Sequence, residues 1–432
     1  MTAEIVIINQ QAVALAADSA VTIGKNRVWK HANKLFSFGP ANDIGVMIYN
    51  SGDFLSVPWE VIVKEFKYKV KDRIFDNLND FADEFVSFVK SDKFASHDFE
   101  EVSFALIFAE SLEDLRGENK YNARSEIQDD ILNKISRLER NIHNSTEINV
   151  PFDYLKFKRY FKKLIKDLVI EEFGMGIGNY PLEAVIRYLY LVISHEIESE
   201  YYTGVVIAGY GREELFPSIS HHVFDGKCMG LTRTWRSNKC FDLNKKRNQD
   251  AAIIPFAQAD IAQLFLEGIA PQYLRFLSKT FVQVLRGKTD KMIDDLVLDA
   301  DERIVEKFIQ SKEIKSMIED FGKQFKDYRR QAFIKPILDT IRALPKEEMA
   351  YMARAMVEIT ALRRRFASAV ESVGGEIDVA IISKSDGFVW INRKHYFDLD
   401  LNPDFLQRRS FSGGGGNGIR KAQKHRIPRA QP

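Results

Sequence analysis

The sequence predicts an α+β fold in which two antiparallel sheets are sandwiched between helical layers, and two observations predict it. Short apolar strands bounded by turn residues stand at both ends of the chain, and long helix-forming blocks fill the stretch between them. A plain α+β arrangement fits the same pattern. With 432 residues, 45% hydrophobic and 28% charged, the chain can bury a substantial core, in one large domain or in two to three smaller ones. The 62 basic and 61 acidic residues leave a net charge of +1, which gives no ground for a nucleic-acid or membrane-surface partner.

The first fifty residues read as strands: TAEIVIIN, an NQQ turn, AVALAADS, KLFSF and IGVMIYN. From Val57 to about Val89 the spacing turns helical, with Trp59, Ile62, Val63 and Phe66 on one face and Phe81, Phe85 and Phe88 on another. SFALIFAE at 103–110 reads as a buried strand. A charged helical insertion follows to about residue 200, carried by SEIQDDILNKISRLERNI and DYLKFKRYFKKLIKDLVIEEF and split by HNSTEINVP. Strands return with TGVVIAGYG and ELFPSISHHVFD. A second helical region runs from about Phe256 to Phe366, with breaks expected near Gly287 and Pro345. Two strands, Asp378 to Ser383 and Gly387 to Asn392, close the ordered part around a KSDG turn. The glycine-rich basic tail, 407–432, has no apolar periodicity and is expected to be disordered.

Thr2, Asp18 and Lys34 follow one another at intervals of sixteen residues. A hairpin beginning at Thr2 returns the chain to its origin near Asp18, and Lys34, opening the next strand, is expected to reach the same point from the next position in the sheet. Threonine is a poor nucleophile unless a base removes its proton, and an N-terminal residue carries one, an α-amine with a pKa of about 7.7–8.0. Lys34 would lower the hydroxyl and amine pKa values, and Asp18 would orient that lysine. Backbone N–H groups of Ser51 and Gly52, after IGVMIYN, are the expected oxyanion hole. All of this needs Met1 removed, which the small Thr2 permits. By residue type alone a plainer reading stands: a small residue near the start, a turn aspartate and a surface lysine.

TAEIVIINQQAVALAADSAVT resembles the opening of proteasome β subunits and HslV-type peptidases, and HANKLF resembles their catalytic-lysine segment. VVIAGYGREELFPSIS and GEIDVAIISKSDGFVW resemble the central and closing strands of that family. The resemblance implies a four-layered αββα sandwich, the N-terminal nucleophile (Ntn) hydrolase fold, and a threonine-type hydrolase of peptide or other amide bonds. Thr2 would be its nucleophile, Asp18 and Lys34 its charged partners, and Thr22 the residue holding substrate backbone. It also implies a peptide or protein substrate, a homo-oligomer such as a ring, a regulatory ATPase as a possible partner, and no cofactor.

On this layout the hydrolase domain comprises 1–110, 201–258 and 346–406, with helical insertions at 111–200 and 259–345. IIPFAQADIAQLF lacks the family's Gly-Ser-Gly turn, and Ser368, Glu371 and Ser372 stand where its later aspartate and serine would lie. An inactive scaffold that binds a partner through its insertions, or a small-molecule amidohydrolase, are the alternatives.

No apolar run reaches the ~20 residues of a spanning helix, and no signal-peptide pattern opens the chain, so a cytoplasmic protein is expected. Cys228 and Cys240 are expected to be reduced thiols; together with His221 and His222 they match no standard zinc spacing. GMGIGNYP reads as a helix stop rather than a dinucleotide loop, and RRR at 363–365 reads as a solvated helix face.

Overall fold

The computed structural model describes residues 3–404 except 24–26, 30, 40, 72, 95–96, 118–123, 175–176, 246–249, 295–299, 368–373, 396, 398–400 and 403. Residues up to Arg393 form one compact unit. A second begins at Lys394, and in it the rings of His395 and Phe397 lie 5.9 Å apart. The tail at 407–432 lies outside the described residues.

The chain opens with β1 (Glu4–Asn9) and β2 (Val13–Ala17). Asn9 builds the hairpin turn, its side-chain oxygen accepting the N–H groups of Gln11 and Ala12 at 2.9 and 3.1 Å. Next come β3 (Val21–Ile23), β4 (Arg27–Trp29), β5 (Leu35–Ser37), β6 (Ile44–Asn50), and the short β7 (Asp53–Phe54) and β8 (Val57–Pro58). The helices α1 (Trp59–Val70), α2 (Leu78–Lys90), α3 (His97–Arg116), α4 (Arg124–Ile142), α5 (Tyr154–Phe173) and α6 (Asn179–Ser194) follow. Strands β9 (Thr203–Gly209), β10 (Ser218–Cys228), β11 (Leu231–Arg236), β12 (Phe241–Asp242) and β13 (Ala251–Ala257) lead into α7 (Ala259–Glu267), α8 (Pro271–Asp294), α9 (Ala300–Arg329), α10 (Lys335–Arg342) and α11 (Lys346–Ala367). The last strands are β14 (Asp378–Ser383) and β15 (Gly387–Asn392), with the bounds expected from the sequence.

Two antiparallel sheets result, ordered β13-β1-β2-β14-β15 and β11-β10-β9-β6-β5. Alternation along each strand divides the core. Val6, Ile8, Val13 and Leu15 of the first sheet pack with Met47, Tyr49, Val206 and Ala208 of the second. The opposite parity, Ile5, Ile7, Ala14 and Ala16, meets Met349, Ala353 and Met356 of α11. On the second sheet Ile44, Val46 and Val205 meet Trp59, Phe66 and Phe81 of α1 and α2. Both faces of β1 are therefore covered, which is why EIVIIN reads as a continuous apolar run rather than an alternating one. Helices α3–α6 share their own core, built on Phe104, Phe108, Phe157, Phe161 and Leu189, and touch the second sheet through Cys228 and Leu231.

Three expectations are corrected. SFALIFAE is part of α3, where Phe104, Ile107, Phe108, Leu112 and Leu115 are buried at helical spacing and Leu106 faces solvent; a short apolar run cannot by itself separate helix from strand. Gly287 does not interrupt a helix but lies within α8, exposed, at the modest cost of about 1 kcal/mol that glycine carries there. AAIIPFA, in which Phe256 was to open a helical region, is β13; it lies at the sheet edge, where Pro255 is tolerated. The expected break at Pro345 does separate α10 from α11.

Candidate active site

Asp18 follows β2 and is fully buried. One carboxylate oxygen accepts the Ala3 N–H at 3.2 Å and the Lys34 ammonium at 2.6 Å. The other accepts the Gly374 N–H at 2.9 Å. Backbone bonds tighten the same point: the Asp18 N–H donates to Ala3 O at 3.1 Å, and the Ser19 N–H donates to Gly374 O at 3.2 Å. A carboxylate with three donors around it is held in one orientation. Its grip on Ala3 fixes the backbone at the entry to β1.

Lys34 does not come from the neighbouring strand of the same sheet, as its spacing led us to expect. It precedes β5 at the edge of the second sheet, its carbonyl accepts the Ile48 N–H at 2.9 Å, and its side chain crosses between the sheets to Asp18. The pair thus ties the two sheets together. Gly374 was missed from sequence. It has φ +148° and Gly375 has φ +83°, so the closing loop turns through backbone conformations that favour glycine, and the Gly-Gly pair before β14 was the signal available.

Thr2, Ser368, Glu371 and Ser372 lie outside the described residues. Thr22 lies in the β3–β4 ribbon opposite Val28. The Ser51 N–H donates to Tyr202 O at 3.2 Å, and Gly52 accepts the Trp59 N–H at 3.1 Å. Before them Asn50 has φ +69°, and its amide donates to the carbonyls of Glu200 and Tyr202, both at 2.9 Å.

Behind Asp18 and Lys34 lies a polar group between the sheets that sequence reasoning did not single out. Glu4 is fully buried, and neither carboxylate oxygen has a hydrogen-bond partner. Burial raises its pKa well above the usual carboxylate range; Lys34 pulls the other way and Asp18 reinforces the rise. The Tyr49 hydroxyl and His221 Nε2 are 3.0 Å apart, with their rings stacked. His221 is pushed down to about 3, first by burial, then by Lys239 and His222. His222, on the opposite face against Ser220, is pushed down to about 4 by burial, Arg236 and Lys90.

Both rings are therefore neutral in the fold and take up protons on unfolding below about pH 6.5. The stability they contribute is complete above that value and is lost as pH falls from there toward about 3. Glu4 acts with the opposite sign, weakening the fold as pH rises above its unfolded value. Urea midpoints between about pH 6.5 and 4.5 are expected to fall with acidification, and the fall to be shallower in His221→Gln by about 1.4 kcal/mol per pH unit. An unchanged slope in that variant would contradict this account of the ring.

His221, His222, Cys228 and Cys240 are not brought to one point. Cys228 is buried under the helices, while Cys240 accepts the backbone N–H of His221 at 3.3 Å. Among the described residues no His/Cys/Asp/Glu cluster could hold a metal, and no helix is long and apolar enough to cross a membrane. Arg363 and Arg364 lie 3.6 and 3.7 Å from Asp260. Gly174 ends α5 at φ +70°, the helix stop expected of GMGIGNYP.

No family model and no curated protein matches the chain. Two solved structures that resemble it are Anbu proteins. One is Anbu (ancestral beta-subunit) from Yersinia bercovieri, 11% identical, with 97% of this chain and 100% of that chain covered and a TM-score of 0.28. The other is an Anbu (Gly-1) mutant from Hyphomicrobium sp. strain MC1, 10% identical, with the same coverage and TM-score. Likeness that loose carries no argument about mechanism. It does correct the expected family: no family model and no curated protein supports a proteasome β subunit or an HslV-type peptidase, and these two similar structures are Anbu proteins, a proteasome-like but distinct family.

Proposed function

We propose that the chain is an N-terminal nucleophile hydrolase of amide bonds, with Thr2 as nucleophile after removal of Met1. One observation carries the reading: the buried Asp18 carboxylate holds the Lys34 ammonium and the N–H of Ala3, the residue next to Thr2, with a single oxygen. Such an arrangement sets a cation beside the backbone of Ala3, the next residue in sequence after Thr2. There it would favour the alkoxide of Thr2 and the unprotonated form of its α-amine. The amine takes the hydroxyl proton as oxygen attacks the substrate carbonyl and returns it to the leaving amine; water then hydrolyses the ester formed at Thr2.

With the Ser51 amide engaged by Tyr202, we assign the oxyanion contact to the Gly52 amide. The packing of helices against the outer faces of both sheets supports a four-layered αββα arrangement. Turnover of peptide and small-amide substrates is expected to fall about 10³-fold or more in Thr2→Ala. Undiminished turnover in that variant, or Met1 retained in active native protein, would sink the proposal. A second reading, a partner-binding scaffold without turnover, is favoured by Tyr273, Phe276, Leu277 and Val284 of α8, 38–61% exposed.

A further inference from the structure

Helices α3, α4 and α6 and the loop before β9 enclose a cavity of about 300 Å³, which none of the candidate active-site residues lines. On α3 the lining residues Ile107, Glu110, Ser111 and Asp114 stand three and four apart, so they share one helix face. Leu138 of α4, Val192 of α6 and Ile197 complete an apolar wall. A space of that size with a few convergent polar groups has the makings of a small-molecule pocket.

Its polar lining accepts hydrogen bonds far more than it donates them. Glu110 is half-buried and Asp114 and Glu198 are exposed, and among the described residues lining the cavity none is Lys, Arg or His. The hydroxyl protons of Ser111, Ser145 and Ser199 are already given to Ile107 O, Ile142 O and Asp225. Positive charge nearby is engaged elsewhere. Arg233 pairs with Asp225, and Lys239, which acts on Glu198, donates to the carbonyls of Pro255 and Phe256, both at 3.4 Å. Burial raises the Glu110 pKa, the Glu200 N–H opposes the rise, and the like charges of Glu200, Asp225 and Asp114 add to it.

Tyr188 points to a ligand independently. It is 5% exposed, it lines the cavity, and its hydroxyl makes no hydrogen bond to a described residue. Buried polar groups are as a rule partnered, and leaving one without a partner is costly. Burial, then the charges of Asp114 and Glu110, pushes its pKa up to about 12, so a neutral phenol stands beside those carboxylates. A metal ion does not suit the site, because among the described residues no His/Cys/Asp/Glu group is placed to hold one. The carboxylates are instead spread out, Glu110 and Asp114 one helical turn apart and Glu198 on the loop before β9. That spread fits an elongated organic cation.

We propose that this cavity binds a small aliphatic diamine, with its ammonium groups on the Glu110–Asp114 pair and on Glu198 and its methylenes along Ile107, Leu138 and Val192. Tyr188 accepts an N–H of the ligand through its hydroxyl oxygen.

Isothermal titration calorimetry of the full-length protein with 1,4-diaminobutane tests this. Saturable binding at one site per chain is expected, with a Kd below about 1 mM. No binding is expected for 1,4-butanediol, which has the same carbon chain without the charges. Glu110→Gln is expected to weaken binding roughly tenfold, as the loss of a charge-assisted hydrogen bond does. Asp114→Asn, at a more exposed position, is expected to weaken it about threefold, and Tyr188→Phe by a similar factor. Absence of saturable binding, equal binding of the diol, or unchanged affinity in these variants overturns the proposal. Glu110 also holds the Glu200 N–H with both oxygens at 2.9 Å. Should Glu110→Gln fail to fold for that reason, the double variant Asp114→Asn, Tyr188→Phe decides, with an expected loss of about tenfold.

Discussion

Lys34→Met is expected to destabilise the protein by about 3–5 kcal/mol, because it strands the Asp18 carboxylate in the interior with its cation gone. Asp18 is fully buried and Lys34 is 5% exposed, so solvent can replace little of the lost interaction. Amide turnover is expected to fall by about 10²–10⁴-fold in the protein that still folds. The two effects separate in the double variant. Lys34→Met with Asp18→Asn removes both charges, and stability should recover in part, since a neutral pair does not carry the desolvation of an orphaned ion. Turnover should not recover. Urea titrations of the three proteins measure the first effect and a fluorogenic amide the second. Equal stability losses in the single and double variants would show that the pair is not a unit.

Arg233→Met is expected to cause a loss of similar size, about 3–5 kcal/mol, by a different route. Arg233 is fully buried on β11 and paired with Asp225 of β10. Its guanidinium also donates to the carbonyls of Val192 and His195, both at 2.9 Å, and to Ile193 at 3.3 Å, so it closes the C-terminal end of α6. Asp225 in turn holds the Ser199 N–H at 3.0 Å. One side chain thus fastens the helical block to the second sheet, and its removal leaves several carbonyls and a carboxylate unsatisfied together. A drop of the urea midpoint without any change in the Asp18–Lys34 chemistry is the expected signature. A near-neutral Arg233→Met would show that water reaches these carbonyls.

Much of this was legible in the sequence, for identifiable reasons. The closing strands and the helices carried by SEIQDDILNKISRLERNI and DYLKFKRYFKKLIKDLVIEEF have clear periodicity, and Asp153 caps the latter by accepting the Lys156 N–H at 2.8 Å. Asp18 could be set beside Ala3 by spacing because a tight hairpin brings the end of β2 back to the beginning of β1. The sheet that supplies Lys34 could not be read, since local pattern says nothing of the crossing between layers. Gly374 reaches Asp18 over 356 residues of sequence, and Glu4 looked like one polar residue in an apolar strand. Those contacts are set by tertiary packing, which periodicity does not encode.

That Thr2 is a nucleophile organised by Asp18 and Lys34 can be tested by mass spectrometry after treatment with a peptide epoxyketone, a reagent that needs both a free α-amine and a neighbouring hydroxyl. One reagent per chain is expected on the peptide that begins at Thr2, and none in Lys34→Met or Thr2→Ala. Folded, Met1-processed protein that stays unlabelled, or that carries the label elsewhere, would contradict it.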